Sequence, residues 1–387
     1  MIEELARLLD DAVATGHPPA ACACVLVDGE VVHESAHGDA RTDSVFDVAS
    51  VTKIATTMVI AREVADGALE LDAPAARWLG AFAARGKGQV TVRELLGHRS
   101  GLPAWAPLFV EVMRDPRTAS LFAQGAADRG AWSIARELVL SRVFDAPLER
   151  SGRRVYSDLG FLALGALAEK TSSAGLDALA RDAIFAPLGL ADDLGFADLS
   201  RASSWLDDRH VLPTGRTRPR EPAPGQEALV PPPASSEDVP GRVDDDNAFA
   251  MGGVAGHAGL FGTARGIATL GACILDELED RGPLGLGEVL RAFVALDPAD
   301  GPPRGLGFDR PAPEASSAGA LLGRAGPRGA IGHLGFTGCS LWVDLDRRLS
   351  VALLTNRTYP GRRSVEPIRA LRPAFHDALC RAVDGAP

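Results

Sequence analysis

The spacing of hydrophobic residues predicts a chain that begins with a helix and a β-hairpin. Apolar residues recur along one face of residues 2–15, with the period of an amphipathic helix. Residues 21–27 are small or β-branched and predict a strand, and Asp28-Gly29 is a typical hairpin turn before a second strand over 30–36. We therefore expect an N-terminal α-helix followed by two antiparallel strands.

The long middle of the chain has the period of helices and is interrupted by loops. A buried helix is predicted from about residue 49, and a helix over 91–98 carries the capping-box pair Thr91 and Glu94. Eight prolines between residues 212 and 242 predict a long loop. The other predicted helices cover 131–143, 158–170, 175–186 and 264–279, and a second loop-rich stretch covers 301–330.

The C-terminal part returns to the pattern of strands. Residues 331–343 and 349–355 predict two adjacent strands, and residues 366–383 predict a final helix. Because strands are predicted at both ends, we expect the ends to share one sheet, with the helical region inserted between them. The fold class is therefore α+β. The expected domains are a discontinuous sheet domain of 1–75 and 255–387 and a mostly helical domain of 76–254, which includes the loop 212–242.

The segment from His33 to His37 matches the H-E-x-x-H pattern of zinc proteases. That pattern binds a metal on a helix, where residues four apart are neighbours. In the strand predicted here the two histidines lie ~13 Å apart, at ~3.3 Å per residue, which is too far to share one ion. We therefore expect no metal site at this segment.

Composition limits the possible partners. The chain of 387 residues is 46% hydrophobic and 24% charged, as is usual for a globular protein. Its net charge of −11 argues against nucleic acid or an anionic membrane as the main partner. No stretch approaches the ~20 apolar residues of a membrane span, and the acidic N-terminus does not resemble a signal peptide. Five cysteines without metal spacing favour free thiols and a cytoplasmic location.

The first candidate chemistry is the pair Ser50 and Lys53 at the start of the predicted helix. Residues three apart share a helix face, so the lysine amine can reach the serine hydroxyl. The chain has 40 basic residues, of which only Lys53, Lys87 and Lys170 are lysines. Unlike arginine, a buried lysine can lose its proton and act as a base. By itself the pair also fits a capped helix with a solvated lysine, so both interpretations stay open at this point.

Two further segments contain candidate residues. Tyr156 stands beside Asp158 before a predicted helix; either a helix cap or proton transfer by the tyrosine would explain it. His333 and Gly335 open a predicted strand, and the glycine would let a substrate lie against the backbone. The next amide, that of Phe336, could form an oxyanion hole together with the amide of Ser50. His257 and His98 are expected to serve packing and the end of a helix.

Taken in order, these motifs resemble those of one family: class C serine β-lactamases, penicillin-binding D,D-peptidases and related esterases. The matching motifs are Ser50-x-x-Lys53, Tyr156-Ser157-Asp158 and His333-Leu334-Gly335. In this group the middle motif is usually Tyr-x-Asn and the third is Lys-Thr-Gly or His-x-Gly. Supporting stretches include 91–103, 187–190, 252–261 and 335–344, so the resemblance covers about residues 15 to 385.

The resemblance implies a fold and a mechanism. The implied fold is serine β-lactamase/transpeptidase-like, an antiparallel sheet flanked by helices with a mostly helical insertion. Ser50 would attack a carbonyl to form an acyl-enzyme, and Lys53 with Tyr156 would form the base system. The amides of Ser50 and Phe336 would bind the oxyanion, while Asp158, His333 and Gly335 would contact the substrate. The resemblance implies no metal and no organic cofactor.

The motifs depart from the family pattern at two places. Asp158 replaces an asparagine, and an ionised carboxylate accepts hydrogen bonds but cannot donate them. Its charge would also favour protonated Lys53, which would leave more of the proton transfer to Tyr156. His333 and Leu334 replace a lysine and a threonine, and so remove a permanent cation and a hydroxyl donor that recognise a carboxylate. We therefore expect poor turnover of β-lactams.

The sequence thus predicts a cytoplasmic serine hydrolase, an esterase or amidase acting on small ester, amide or peptide-like substrates. One alternative is a true β-lactamase or D,D-carboxypeptidase. A second alternative is a non-catalytic descendant that binds peptidoglycan fragments or a protein. The sequence leaves the substrate, the acceptor of the acyl group and the oligomeric state open.

Overall fold

The computed structural model describes residues 2–124, 129–149, 154–201, 205–215, 240–296, 303–362 and 364–385. The helices in this part of the chain are α1 (Ile2–Ala14), α2 (Thr52–Ala65), α3 (Val92–Leu96), α4 (Phe109–Arg114), α5 (Ser120–Gln124), α6 (Arg129–Asp145), α7 (Asp158–Ser172), α8 (Leu176–Ala180), α9 (Asp246–Ala250), α10 (Ala264–Leu278), α11 (Gly287–Val294) and α12 (Glu366–Val383). The strands are β1 (Ala20–Val27), β2 (Glu30–Gly38), β3 (Phe46–Asp47), β4 (Leu194–Phe196), β5 (Leu260–Gly262), β6 (Ala330–Leu334), β7 (Ser340–Asp344) and β8 (Leu349–Thr355).

Strands from the two ends of the chain form one antiparallel sheet. Its strand order is β2-β1-β8-β7-β6, and β1 pairs directly with β8, with Ala21 opposite Thr355 and Val27 opposite Leu349. The prediction that both ends contribute to one sheet is therefore confirmed, as is the α+β class. A smaller sheet, β3-β5-β4, lies beside it.

Helices cover both faces of the large sheet. Leu5 of α1 and Phe375 of α12 are buried with Val351 on one face. Helix α10 packs against β1, β7 and β8 on the other. With both faces covered, β1 is a continuous run of buried apolar residues rather than an alternating strand. One apolar core extends from the helices of the middle region to the sheet. The domain boundaries at 75/76 and 254/255 stay a prediction.

One strand prediction is wrong. Residues 331–343 form two strands, β6 and β7, which are joined by a tight turn from Gly335 to Cys339. The Gly335 amide donates to the Cys339 carbonyl at 2.7 Å, and Gly338 has a φ of 98°, a conformation that glycine adopts without strain. Apolar residues on both sides of the turn conceal it in the sequence.

The other predictions for local structure meet different outcomes. The capping box is confirmed, because the Thr91 hydroxyl accepts from the Glu94 amide at 3.1 Å and the Glu94 carboxylate accepts from the Thr91 amide at 2.9 Å. The helix predicted over 175–186 ends as α-helix at Ala180 and continues as a π-helical turn. Most of the predicted loop 212–242, residues 216–239, lies outside the described residues.

The histidines of the H-E-x-x-H pattern lie on strand β2, as expected. His37 pairs with Asp10 of α1 at 2.6 Å, and His33 bonds Ser35 at 3.1 Å. Both rings therefore serve local packing at the edge of the sheet. Within the ranges that the structure describes, no helix has both the length and the apolar character needed to cross a membrane.

Candidate active site

Ser50 lies in a short 3₁₀ turn, Ala49–Val51, that leads into α2. The turn is held in an unusual backbone conformation, with a φ of 49° at Ala49, by the Asp47 carboxylate, which accepts from the Ala49 amide at 2.8 Å. Backbone N–H groups in the first turn of a helix have no acceptor within the helix. The Ser50 hydroxyl therefore stands at a helix start, near the positive end of the helix dipole.

Lys53 lies one turn along α2 and is completely buried. Its ammonium donates to the Ser50 hydroxyl at 3.0 Å and to the His257 carbonyl at 3.1 Å. It also forms an ion pair with Asp158, at 2.8 Å from Oδ1. The predicted contact between Ser50 and Lys53 is therefore present, and the interpretation of Lys53 as a solvated lysine is wrong.

The surroundings of Lys53 determine its charge. Burial alone lowers the pKa of its ammonium, but the carboxylate of Asp158 and the phenol oxygen of Tyr156 more than offset that effect, so the pKa lies above its ordinary value. Lys53 is therefore protonated at neutral pH and donates to Ser50 rather than accepting from it. This is the consequence expected of an aspartate at position 158.

Tyr156 is partly buried and packs against the same lysine. The Lys53 nitrogen lies 4.9 Å from the centre of the Tyr156 ring, and the rings of His98 and His333 lie 4.6 and 5.9 Å from it. Burial raises the pKa of the Tyr156 phenol, although Lys53 acts in the opposite direction. The phenol is therefore protonated in the resting protein.

His98 has a positioning role that the sequence did not predict. Its Nδ1 accepts from the Ser157 amide at 3.0 Å, and its carbonyl accepts from the Val155 amide at 3.0 Å. Burial among positive groups lowers the pKa of the His98 imidazole well below its usual value, so the ring is neutral and can accept. His98 thereby holds both sides of Tyr156. His98 has a φ of 56° directly after α3, and its place in the family-like stretch 91–103 was the signal that the sequence offered.

Ser157 caps α7 and so orients the carboxylate that follows it. Its hydroxyl donates to the Pro103 carbonyl at 2.6 Å and accepts from the Gly160 amide at 3.2 Å. Asp158, the first residue of α7, is held by its amide, which donates to the Ala104 carbonyl at 2.9 Å. These bonds direct Asp158 at Lys53.

The third motif ends strand β6 beside Ser50. A side chain at Gly335 would collide with the carbonyl oxygen of Val48, so only glycine lets the turn approach the serine loop this closely. The Thr337 hydroxyl donates to the Asp47 carbonyl at 2.7 Å, and Arg372 donates to the carbonyls of Gly335 (2.8 Å) and Cys339 (2.5 Å). The backbone that carries the Phe336 amide is thus tied to the segment before Ser50.

His333 contributes no positive charge to the site. Burial lowers the pKa of its imidazole to about 4, so the ring is neutral. Its Nδ1 donates to the Leu334 carbonyl at 2.9 Å, which leaves Nε2 as an acceptor. The permanent cation of a lysine at this position is therefore absent.

The predicted residues meet at a cleft of about 580 Å³. Ser50, Tyr156, Asp158, His333, Gly335 and Phe336 line it, and Lys53 lies beneath. The Phe336 ring is half exposed, and the guanidinium groups of Arg357 and Arg362 lie 4.4 and 5.2 Å from its centre. Within the described residues, no group of three or more His, Cys, Asp or Glu side chains is arranged to hold a metal ion.

Buried Asp47 and partly buried Asp245 support the site, and the sequence did not single them out. Asp47 accepts from the amides of Ala49 and Asp244, at 2.8 and 2.6 Å. Burial raises the pKa of the Asp47 carboxyl to about 7. Asp245 binds the ring of His257 at 2.9 Å, while the carbonyl of His257 accepts from Lys53. His257 therefore helps to hold the lysine as well as packing tightly.

The sheet flanked by helices and this serine–lysine–tyrosine cluster define a protein of the penicillin-binding and β-lactamase class. The family model described as Beta-lactamase matches residues 5–374, and the chain belongs to the Beta-lactamase family. The fold prediction made from the motifs is confirmed.

Known proteins of this family resemble the chain over most of its length. It is 26% identical over 383 residues to the N-acetylmuramyl-L-alanine amidase of Bacillus subtilis (strain 168), and the aligned region covers 92% of this chain and 81% of the amidase. It is 29% identical to Esterase EstB of Burkholderia gladioli, over 96% of this chain and 94% of the esterase. Its fold resembles that of the octameric penicillin-binding protein homologue from Pyrococcus abyssi, with a TM-score of 0.68 at 18% identity, over 98% of this chain and 77% of that one.

Proposed function

We propose that this protein is a serine hydrolase that cleaves small esters or amides through an acyl-enzyme on Ser50. The observation that carries the proposal is the contact of 3.0 Å between the Ser50 hydroxyl and the buried Lys53 ammonium at a helix start in an open cleft. Relatives named as an esterase and an amidase support this substrate class. A cytoplasmic location belongs to the same proposal and is supported by five free cysteines.

The reaction has two steps. In the first, the Ser50 oxygen bonds to the substrate carbonyl carbon, the bond to the alcohol or amine breaks, and the leaving group takes a proton. In the second, water or another acceptor attacks the acyl-serine and releases the acid or a new ester. In both steps the amides of Ser50 and Phe336 would stabilise the negative oxygen, a contribution of about 10²–10³ in rate per donor.

Proton removal from Ser50 is assigned to Lys53 and Tyr156 acting together. In the resting state Lys53 is charged and Tyr156 is protonated, because their pKa values are both raised. The reactive form therefore lacks one proton from this pair. Asp158 opposes that loss, since its negative charge raises both pKa values. In the proposed mechanism Tyr156 relays the proton released by Ser50. It is a neutral phenol, not a phenolate, in the resting protein.

The third motif favours substrates that carry no charged group beside the reacting carbonyl. Neutral His333 and apolar Leu334 supply neither a cation nor a hydroxyl at the position where a β-lactam carboxylate would be recognised. We therefore assign esters and neutral amides as the preferred substrates and β-lactams as poor ones.

A substrate panel tests this assignment. We expect the purified protein to hydrolyse p-nitrophenyl butyrate with a kcat/KM at least 100-fold above that for nitrocefin, and the Ser50→Ala variant to hydrolyse neither. Efficient nitrocefin turnover would instead support a true β-lactamase. Release of D-alanine from a D-Ala-D-Ala peptide would support a carboxypeptidase. No turnover of any substrate would support a binding descendant.

A further inference from the structure

A second cavity adjoins the active-site cleft at the edge of the large sheet. It measures about 960 Å³ and is bordered by strand β6, helix α12 and residues of the loop 303–324. Cleft and cavity share five lining residues: Arg304, Asp309, Leu334, Arg369 and Arg372. A substrate whose carbonyl lies at Ser50 can therefore extend past these side chains into the neighbouring space.

The second cavity is positively charged, although the protein is acidic. Its charged lining residues are Arg304, Arg310, Arg324, Arg369, Arg372, Asp309 and Asp377. Five arginines against two aspartates give this lining a net charge of +3, whereas the whole chain carries −11. Asp309 is paired with Arg304, and Arg369 is paired with Glu366, which does not line the cavity. The remaining charge is suited to an anion.

Three buried donors in the cavity lining have no acceptor among the residues that the structure describes. They are Nε of Arg310, Nε1 of Trp342 and Nε of Arg372. Trp342 is 2% and Arg372 7% exposed. Burial lowers the pKa of Arg372 only to about 10, so it stays cationic at neutral pH. Buried donors without an acceptor destabilise a protein, which makes them a signal for a ligand.

The arginines in question also lack counter-charges. Within the described residues, neither Arg310 nor Arg372 forms an ion pair; their Nη atoms donate to backbone carbonyls instead. A buried cation without an anion is costly, and a carboxylate accepts from guanidinium groups with favourable geometry. Trp342, which also lines the cavity, has a buried neutral N–H donor without an acceptor among the described residues.

We propose that this second cavity binds a carboxylate of the substrate at a distance from the carbonyl that Ser50 attacks. The proposal rests on the proposed ester or amide hydrolysis and specifies its substrate class: acyl groups or leaving groups with a remote carboxylate. It is consistent with the third motif, because Leu334 removes carboxylate recognition beside the reacting carbonyl while leaving it possible farther along the substrate. The unpaired arginines and tryptophan then gain their acceptor when substrate binds.

Two esters of equal chain length test the proposal on the unaltered protein. We expect kcat/KM for mono-p-nitrophenyl adipate to exceed that for p-nitrophenyl hexanoate by about tenfold or more, since a hydrogen bond to a charged group has roughly that effect. In the variants Trp342→Phe and Arg310→Gln this ratio should fall towards one. Trp78→Phe, a substitution outside both cavities, should keep it. A ratio of one or less in the unaltered protein, or an unchanged ratio in both folded variants, would overturn the proposal.

A binding measurement separates this proposal from the proposed function. Adipic acid monoamide and hexanamide are titrated calorimetrically into the Ser50→Ala variant, which cannot form an acyl-enzyme. Tighter binding of the charged amide supports the carboxylate site even if no ester is hydrolysed. Equal binding of the two amides overturns the carboxylate site, whatever the esterase activity.

Discussion

At the scale of single residues, the proposed chemistry depends on how one aspartate sets the charge of its neighbours. Asp158 lies 2.8 Å from the Lys53 nitrogen and raises the pKa of both Lys53 and Tyr156. The sequence allowed this effect to be predicted, because Asp158 stands where the family usually has asparagine. What it did not predict was His98, whose neutral ring holds the Tyr156 segment through the Ser157 amide.

The Asp158→Asn variant should change the pH dependence of activity. Removing the carboxylate lowers the pKa of Lys53 and of Tyr156 together, so the rising limb of the kcat/KM profile for p-nitrophenyl butyrate should move to lower pH. The direction is the same whichever of the two groups is the base. A limb that stays in place would contradict this account of the charges, and loss of activity at every pH would make Asp158 itself the proton acceptor.

Tyr156→Phe tests the share of proton transfer assigned to the phenol. We expect kcat for the same ester to fall by about 10²–10⁴, the usual contribution of a general acid–base group. KM should change little, because the ring itself is retained against His98 and His333. Near-full turnover by the folded variant would leave Lys53 as the sole base.

At the scale of elements, the site depends on the turn between β6 and β7. The sequence predicted one strand here, because the apolar residues on both sides of Gly335 and Gly338 conceal the reversal. The turn can form because Gly338 adopts a φ of 98° and because Gly335 fits against Val48. Helix α12 contributes Arg372, which holds two carbonyls of the turn from a position 37 residues beyond Gly335. Such a distant contact leaves no pattern in the sequence.

Gly335→Ala should therefore damage catalysis more than folding. The added methyl group would collide with the Val48 carbonyl, and we expect this to displace the Phe336 amide from its proposed oxyanion position. We expect kcat to fall by about 10²–10³, as on loss of one oxyanion donor, with a smaller change in KM. The control is Gly80→Ala, where a side chain meets nothing within 4 Å. Equal kcat values for the two variants would remove the Phe336 amide from the mechanism.

At the scale of the whole molecule, strands from the two ends of the chain form one sheet, and a long, mostly helical region lies between them in the sequence. Periodicity predicted most of this arrangement: α1, the β1-β2 hairpin, β8, α10 and α12 lie where the sequence indicated. It could not predict that β1 pairs directly with β8, or the buried carboxylates beneath Ser50. One of these is Asp47, and nothing in the sequence indicates that its pKa is raised to about 7. Burial, the cause, is a property of the assembled molecule.

Asp47 should make global stability depend on pH. The pKa of the Asp47 carboxyl is ordinarily 3.8, as expected in the unfolded chain, and about 7 in the folded protein. Between these pH values the folded protein holds a proton on Asp47 that the unfolded chain has lost. The Asp47 contribution to the free energy of unfolding should therefore be largest below pH ~4 and decline as pH rises towards 7. The measurement compares urea unfolding of the wild type and Asp47→Asn across this range. A stability difference independent of pH would contradict the raised pKa.

The nucleophilic role of Ser50 is the central claim, and covalent labelling measures it most directly. The intact protein and its Ser50→Ala variant are treated with a fluorophosphonate, and the mass of each is then recorded. We predict one adduct on the wild type, located at Ser50 by peptide mapping, and none on the variant. An unlabelled wild type, or equal labelling of both proteins, would contradict the account.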